Sequence, residues 1–298
     1  MLELSNKVVS LNHTRDTKMN ILPLQTRTQI VSLLVEGNSL RAISRITGCS
    51  INTVTKLLVA VGKACAEFHN ETINHVKSQR VQCDEIWSFV YAKEKNAPQE
   101  MKGKGAGDVW TWVGMDADSK LVISWLIGNR GAEAAKYFME DVADRLENRV
   151  QLTTDGHKVY LDAVWNAFEG DIDFAQLVKI YGTEGGKSPE RKYSPAECQG
   201  AKKVRVAGFP DEKYISTSYI ERQNLTMRMG MRRFTRLTNG FSKKVENHGH
   251  AIALHFVHYN FARIHKTLRI TPAMEAGLAK NVMSCEEIVR LTDRYTLK

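Results

Sequence analysis

A chain of 298 residues holds one large domain or two modest ones, each with its own core. Its hydrophobic fraction of 43% and charged fraction of 25% are those of a globular protein, and no apolar run approaches the roughly 20 residues of a membrane-spanning helix. The formal net charge of +9 calls for an acidic partner, nucleic acid before a membrane surface.

The opening MLELSNKVVSLNHTRD has no basic head followed by an apolar stretch, so no secretory signal is read and a cytosolic setting is expected. Helical spacing of Ile30, Leu33 and Leu34 predicts a first helix ending at Gly37. SLRAISRITGCSINTVTKLLVAVG then predicts a helix from Ser39 to Thr47, a turn at Gly48 and a second helix capped by Ser50. Leu40, Ile43, Ile46, Val54 and Leu57 are the expected contacts between these two helices. This is the layout of a helix-turn-helix, whose second helix offers its first turns to base edges. Ser50, Asn52, Thr53 and Lys56 are its candidate DNA-binding residues; the bland alternative is an ordinary helical hairpin.

ACAEFHNETINHVKS, Ala64 to Ser78, reads as a linker helix. From Val81 the period changes to that of strands: VQCDEIWSFVYAK, DVWTWVGMDADS and KLVISWLIG are three in succession. A helix (GAEAAKYFMEDVADRLEN), a short strand ending at Asp155, a helix (HKVYLDAVWNAF) and a strand (DFAQLVKIYG) follow. Thr183 to Ser216, rich in Gly, Pro, Lys and Ser, is expected to be irregular, and STSYIERQNLTMRMGMRR resumes as a helix. Three antiparallel strands followed by helix–strand–helix–strand–helix give an α/β fold class, with an order similar to the ribonuclease-H-like fold.

Arg222, Arg228, Arg232, Arg233, Arg236, Lys243 and Lys244 stand in one stretch with no acidic residue among them, a pattern suited to phosphates. His248, His250, His255, His258 and His265 follow; without a Cys or carboxylate to complete a ligand set, they read mainly as helix-surface or DNA-facing residues. Cys49, Cys65, Cys83, Cys198 and Cys285 are scattered and odd in number, which fits free thiols in a reducing compartment.

Asp84 and Glu85 sit inside the apolar first strand, where a buried carboxylate costs several kcal/mol unless compensated. One reading leaves them facing solvent; the other makes Asp84 a metal ligand. Asp155 ends a strand at Gly156, and Glu221 lies near the start of the last core helix. One carboxylate on each of two neighbouring strands and one on a packed helix would serve two Mg²⁺ or Mn²⁺ ions for phosphoryl transfer. By alternation Glu85 points to the opposite sheet face and reads as structural, paired with a basic helix residue. Asp108, Asp116 and Asp118 read as solvated turn acids, His157 as either a phosphate contact or a plain helix-start residue, and Trp110, Trp112 and Trp125 as packing.

CDEIWSFV, TTDGHKVY and SYIERQNLTMRMGMRRFTR resemble the three catalytic blocks of DDE transposases of bacterial insertion sequences, most closely the insertion sequence one family. The resemblance runs from about Val81 to Ala279 and includes YNFARIHKTLRITPAMEAGL. It implies a ribonuclease-H-like catalytic core preceded by an all-α helix-turn-helix domain. It assigns Asp84, Asp155 and Glu221 as the catalytic, metal-binding acids. It places Arg228, seven residues after Glu221, on DNA, and the Arg232, Arg233, Arg236 and Lys243 cluster with it. The implied division is residues 1–78 for DNA binding and linker, 79–245 for catalysis with an irregular insertion near 183–216, and 246–298 for a C-terminal helical segment. The implied activity is metal-dependent cleavage at transposon ends and strand transfer, with terminal inverted repeats and target DNA as partners. A homo-oligomer in the synaptic complex and a nucleoid-associated location in a bacterial cytoplasm go with it. The zinc-binding segment often found before the helix-turn-helix in that family has no suitable cysteines here. The alternative reading is a catalytically silent, transposase-derived DNA-binding regulator.

Overall fold

A computed structural model describes residues 21–101, 103–181, 198–235 and 238–295. Arg236 and the first half of the expected irregular insertion lie outside the described residues.

The N-terminal helices are α1 (Leu24–Val35), α2 (Leu40–Thr47) and α3 (Ile51–Thr72). Ser39 caps α2 by accepting the Ala42 amide, and Ser50 caps α3 by accepting the Thr53 amide, so each helix starts where a hydroxyl satisfies an orphan donor. Gly48 takes a left-handed φ of 71°, the conformation that lets the chain leave α2 and turn into α3. Ile30, Ile43 and Val54 form a small core among the three helices, with Leu40 and Leu57 beside it. Ile46, expected in that core, is 55% exposed: α1 and α3 cover only the opposite side of α2.

The sheet has six strands in the order β3-β2-β1-β4-β5-β6. They are β1 (Arg80–Val90), β2 (Gly107–Asp116), β3 (Val122–Gly128), β4 (Gln151–Asp155), β5 (Asp173–Tyr181) and β6 (Cys198–Ala207). β1, β2 and β3 are antiparallel neighbours, β1–β4 and β4–β5 are parallel, and β6 returns antiparallel to β5. β6 falls where irregular chain is expected. It is an edge strand exposed on both faces, so nothing selects the alternation of apolar and polar residues that marks a half-buried strand.

Helices α4 (Ala132–Arg145) and α5 (Val159–Phe168) cover one face, where Trp112 packs on Phe138 and Tyr160. α6 (Ser218–Gly230) and α7 (Val245–Val257) cover the other. There the Gln82 side chain accepts the amides of Tyr219 and Ile220 at the start of α6, and Trp125 meets Phe256 of α7. A π-helical turn (His258–Ala262) follows, then α8 (Pro272–Glu275) and α9 (Cys285–Tyr295). α3 packs along α7 and α9, and α1 along α9, so the terminal helices share one layer outside α7. Gly62 sits at the α3–α7 crossing, where a Cβ would come within 2.4 Å of His250 Cβ.

Two readings of side chains change with this packing. His248 and His255 are buried, not on a free helix surface, because α7 is covered by the sheet on one side and α3 on the other. The His248 ring lies between the Ser88 and Ser242 hydroxyls at 3.1 and 2.9 Å. Asp116 is also buried, accepting from Ser78 Oγ at 2.8 Å and from the Ser119 and Asp118 amides. It organises the β2–β3 turn instead of facing water. Trp112 and Trp125 are core residues, as expected.

Candidate active site

The acids meet because of strand register. β1 pairs with β4 from Arg80–Gln151 to Cys83–Thr154, so the next step brings Asp84 beside Asp155, the last residue of β4. β1 runs on for six more residues with no β4 beside it. In a parallel sheet this step, outside a strand's carboxyl end, is where a ligand finds open space.

Carboxyl oxygens of Asp84, Glu85 and Asp155 all lie within 4.8 Å of one another. Asp84 Oδ1 accepts the Glu85 amide at 2.9 Å, and Oδ2 accepts the Asn224 side-chain amide of α6, also at 2.9 Å. Burial, then the neighbouring charges of Asp155 and Glu85, push the Asp84 carboxyl up to about 7. Glu221, on α6, adds to the same crowding.

Glu85 is on the α4–α5 side of the sheet, as strand alternation requires, and it does pair with a basic residue, Arg130 just before α4. It is nonetheless part of the acid cluster, because beyond the end of β4 no strand separates the two faces. Arg130 donates from Nε to Glu85 Oε2 at 3.0 Å and lies 3.5 Å from Asp155 Oδ2, with its guanidinium stacked over Trp110. The buried Tyr160 hydroxyl lies against Glu85 without meeting hydrogen-bond geometry. Burial raises the Glu85 carboxyl, and Tyr160 and Arg130 oppose that shift.

The turn after β4 is tied down from several sides. Asp155 Oδ1 accepts the His157 amide at 2.9 Å, and Gln176 of β5 donates to the carbonyls of Asp155 and His157. The His157 ring stacks beside Trp112 and contacts the Arg130 carbonyl at 3.3 Å. Its ring is therefore engaged in packing on the Arg130 side.

Glu221 is half-buried, with Oε1 2.7 Å from Lys179 Nζ of β5 and 2.5 Å from Thr217 Oγ1. Its oxygens fall outside the three-residue group, although its charge reaches Asp84. Arg228 is half-buried two turns further along α6. The residues that sequence reasoning passed over are Arg130, Lys179 and Gln176. Each is basic or amide-bearing, and none stands near Asp84, Asp155 or Glu221 in sequence.

The other expected DNA contacts divide by exposure. Asn52, Lys56, Arg232 and Lys243 are exposed. The Ser50 hydroxyl and Thr53 are engaged with each other at the α3 cap. Arg233 is turned inward, donating to Ser242 Oγ at 2.6 Å, and burial lowers its guanidinium to about 10. A cleft of about 950 Å³ runs between the start of α3 and the segment after α6. Arg41, Asn52, Arg232, Asn239 and Lys243 line it, and no described lining residue is acidic.

No protein-family model and no curated protein matches the chain. Solved structures similar to it include a piggyBac transposase synaptic complex with hairpin DNA. That match is 12% identical over 96% of this chain and 73% of the other, with a TM-score of 0.42. The Mos1 transposase paired-end complex with left transposon end is 13% identical over 54% of this chain and 61% of the other, with a TM-score of 0.23. The Mos1 Strand Transfer Complex is 12% identical over 80% of this chain and 79% of the other, with a TM-score of 0.24. All three are transposases.

Proposed function

We propose that the chain is a metal-dependent DNA transposase with a ribonuclease-H-like core, in which Asp84, Asp155 and Glu221 hold the catalytic cations. The observation that carries this reading is the β1–β4 register, which sets Asp84 beside Asp155 at an open strand end with α6 and Glu221 packed above. The strand directions, three antiparallel strands continuing into a parallel pair, agree with that core.

The donor set fits Mg²⁺ or Mn²⁺. These are hard cations that take oxygen ligands and keep several waters, so a few carboxylates suffice. Acid oxygens within 4.8 Å of one another are close enough to share a cation, and positive charge there relieves the repulsion that raises Asp84. When bound, a pair of such ions activates the attacking oxygen and stabilises the leaving one in an in-line displacement at phosphorus. The chain's own residues do the positioning. Asn224 orients Asp84, Gln176 fixes the Asp155 turn, and Arg130 holds Glu85 against Asp155.

DNA reaches this site along positive surface. Arg228 and Arg232 lead from α6 to the acid-free cleft, whose far wall is the start of α3. In this reading α2 and α3 are a helix-turn-helix, with Asn52 and Lys56 as the side chains still exposed for base or phosphate contact. Residues 1–78 then recognise DNA ends, 79–245 carry the chemistry, and the helices of 246–298 brace the two. Terminal repeats and target DNA are the partners, and synapsis of two ends requires more than one copy. Among the described residues no helix is long and apolar enough to cross a membrane.

The test is strand chemistry on a duplex carrying the element's terminal repeats, with Mg²⁺ or Mn²⁺. A 3′-hydroxyl should appear at the repeat boundary and then join a second duplex. Asp84→Ala, Asp155→Ala and Glu221→Gln should each abolish both steps while DNA affinity measured without metal holds. Cleavage that survives any one of them removes that residue from the mechanism. Binding without chemistry under either ion favours the regulator instead.

A further inference from the structure

β5 outlasts β4. Their pairing ends at Asp155–Leu177, so Val178 to Tyr181 continue past the acid cluster with only β6 alongside. Lys179 lies on this overhang, and its ammonium is 2.7 Å from Glu221 Oε1. Both side chains are about one-third exposed, at 32% and 40%, so the pair faces the open side of the site.

A purely architectural ion pair would tie β5 to α6. Three features point further. Glu221 already has a fixed donor in the buried Thr217 hydroxyl at 2.5 Å, so Lys179 is not needed to hold it. Glu221 stands outside the group of acid oxygens that share 4.8 Å, with Lys179 as its cation. Ala175, Leu177 and Lys179 share one face of β5. The β6 partners of the first two are Arg205 and Lys203, both exposed, so Lys179 begins a run of positive charge leading away from the acids.

We propose that Lys179 is a phosphate-contacting residue of this site, resting on Glu221 and passing to the phosphodiester of the strand being cut when a divalent cation takes Glu221. The inference rests on the metal-site reading above. A dication at Glu221 places like charge a few ångströms from the Lys179 ammonium. The anion that offsets both is a phosphodiester, which the cation and the lysine can hold from two sides. Lysine suits such an exchange, being a compact charge with three donors on a flexible stem, able to change partners without backbone movement. Metal and DNA then help each other to bind, by the reciprocity that links any two ligands sharing a coupling residue.

The experiment is Mn²⁺ titration of the full chain, followed by the paramagnetic resonance of free Mn²⁺, with and without a random-sequence DNA duplex. Without DNA, Lys179→Gln should bind Mn²⁺ several-fold more tightly than wild type, because Glu221 has lost its competing cation. Duplex should tighten Mn²⁺ binding several-fold in wild type and in Lys179→Arg, and that gain should be several-fold smaller in Lys179→Gln, where only the direct cation–phosphate contact remains. Equal Mn²⁺ affinity of wild type and Lys179→Gln without DNA overturns the proposal, as does a gain from duplex that is undiminished in Lys179→Gln. A wild-type chain that binds no Mn²⁺ overturns the metal-site reading itself, and this inference with it. Should Lys179→Gln lose its fold, the sign of the coupling in wild type and Lys179→Arg still decides, since negative or absent coupling contradicts the exchange.

Discussion

Asn224 Nδ2 donates to Asp84 Oδ2 at 2.9 Å, a side-chain bond that ties α6 to the acid on β1. Asn224 is buried, and among the described residues its own Oδ1 has no hydrogen-bond partner. A group that orients a metal ligand commonly contributes about 10- to 100-fold to metal affinity or activity when removed. Asn224→Ala should therefore lower cleavage by a factor in that range while DNA affinity stays unchanged. Asn224→Asp should do worse, since it brings another carboxylate against Asp84. Single-turnover cleavage against Mn²⁺ concentration separates a lost ligand geometry from a lost DNA contact.

Asp84 also makes a prediction about stability with the opposite sign to activity. Its carboxyl sits at about 7 in the folded chain, well above the ordinary aspartate value of 3.8, so the folded state carries a cost once the group is charged. That cost grows as pH rises from 3.8 and is complete above 7. Asp84→Asn removes it, and Asn224 can turn its amide so that Oδ1 accepts from the new side chain. In EDTA at alkaline pH the variant should melt a few degrees above wild type, as a gain on the order of 1 kcal/mol gives for a domain of this size. Differential scanning calorimetry reads it directly. A lower Tm than wild type would show that the acid crowding is relieved in some other way.

The DNA-end reading is best tested by point variants. Deleting the first 75 residues would strip Leu58, Val61, Ala64, Cys65 and His69 out of the core, so loss of binding would report unfolding. Asn52→Ala with Lys56→Ala touches only exposed positions on α3. The double variant should lose about 1–3 kcal/mol of preference for its own ends over random DNA. Non-specific binding should keep most of its salt dependence, because Arg232 and Lys243 remain. Competition binding at two salt concentrations gives both quantities, and an unchanged preference would assign end recognition elsewhere.

Buried histidines fix a second pH dependence. His69, His248 and His255 are each lowered to about 3, first by burial and then by Arg145, Arg233 and His258 respectively. A histidine whose folded value lies below its unfolded value of 6.5 supports the fold above 6.5 and loses that support as pH falls towards 3. Each contributes a slope of about 1.4 kcal/mol per pH unit across that window. Asp84, between 7 and 3.8, and the raised Glu85 have the reverse slope, but two acids stand against three fully buried histidines. Denaturant unfolding should show stability falling steadily below pH 6.5, and His248→Gln should shallow the fall.

What was legible from sequence follows the reach of each physical rule. β1, β4 and α6 lie where the sequence pattern places them, and the β1–β4 register brings Asp84 beside Asp155, while Glu221 stays outside their group of oxygens. Ser39, Gly48 and Ser50 mark α2 and α3 because capping is local. Glu85 resisted because alternation describes the middle of a sheet, and this residue lies just past the end of a neighbouring strand. Lys179 and Arg130 come to the acids from distant parts of the chain, and only the register of β5 and the turn before α4 bring them in. His248 and His255 look like surface residues in HGHAIALHF until α3 is seen to cover the far side of α7.

Helix α3 has a consequence for how such an enzyme would choose its cut. It is a single helix of 22 residues, about 33 Å from end to end, with no break along it. Its first turn carries Asn52, Gly62 seats it on α7 midway, and near its far end the His69 ring bonds the Ile123 carbonyl inside β3. The start of α3 and the sheet that holds the acids are joined by this continuous helix. If α3 reads DNA as proposed, the helix would act as a ruler: its length would set the number of base pairs between the sequence read and the bond broken, the same from one DNA end to the next.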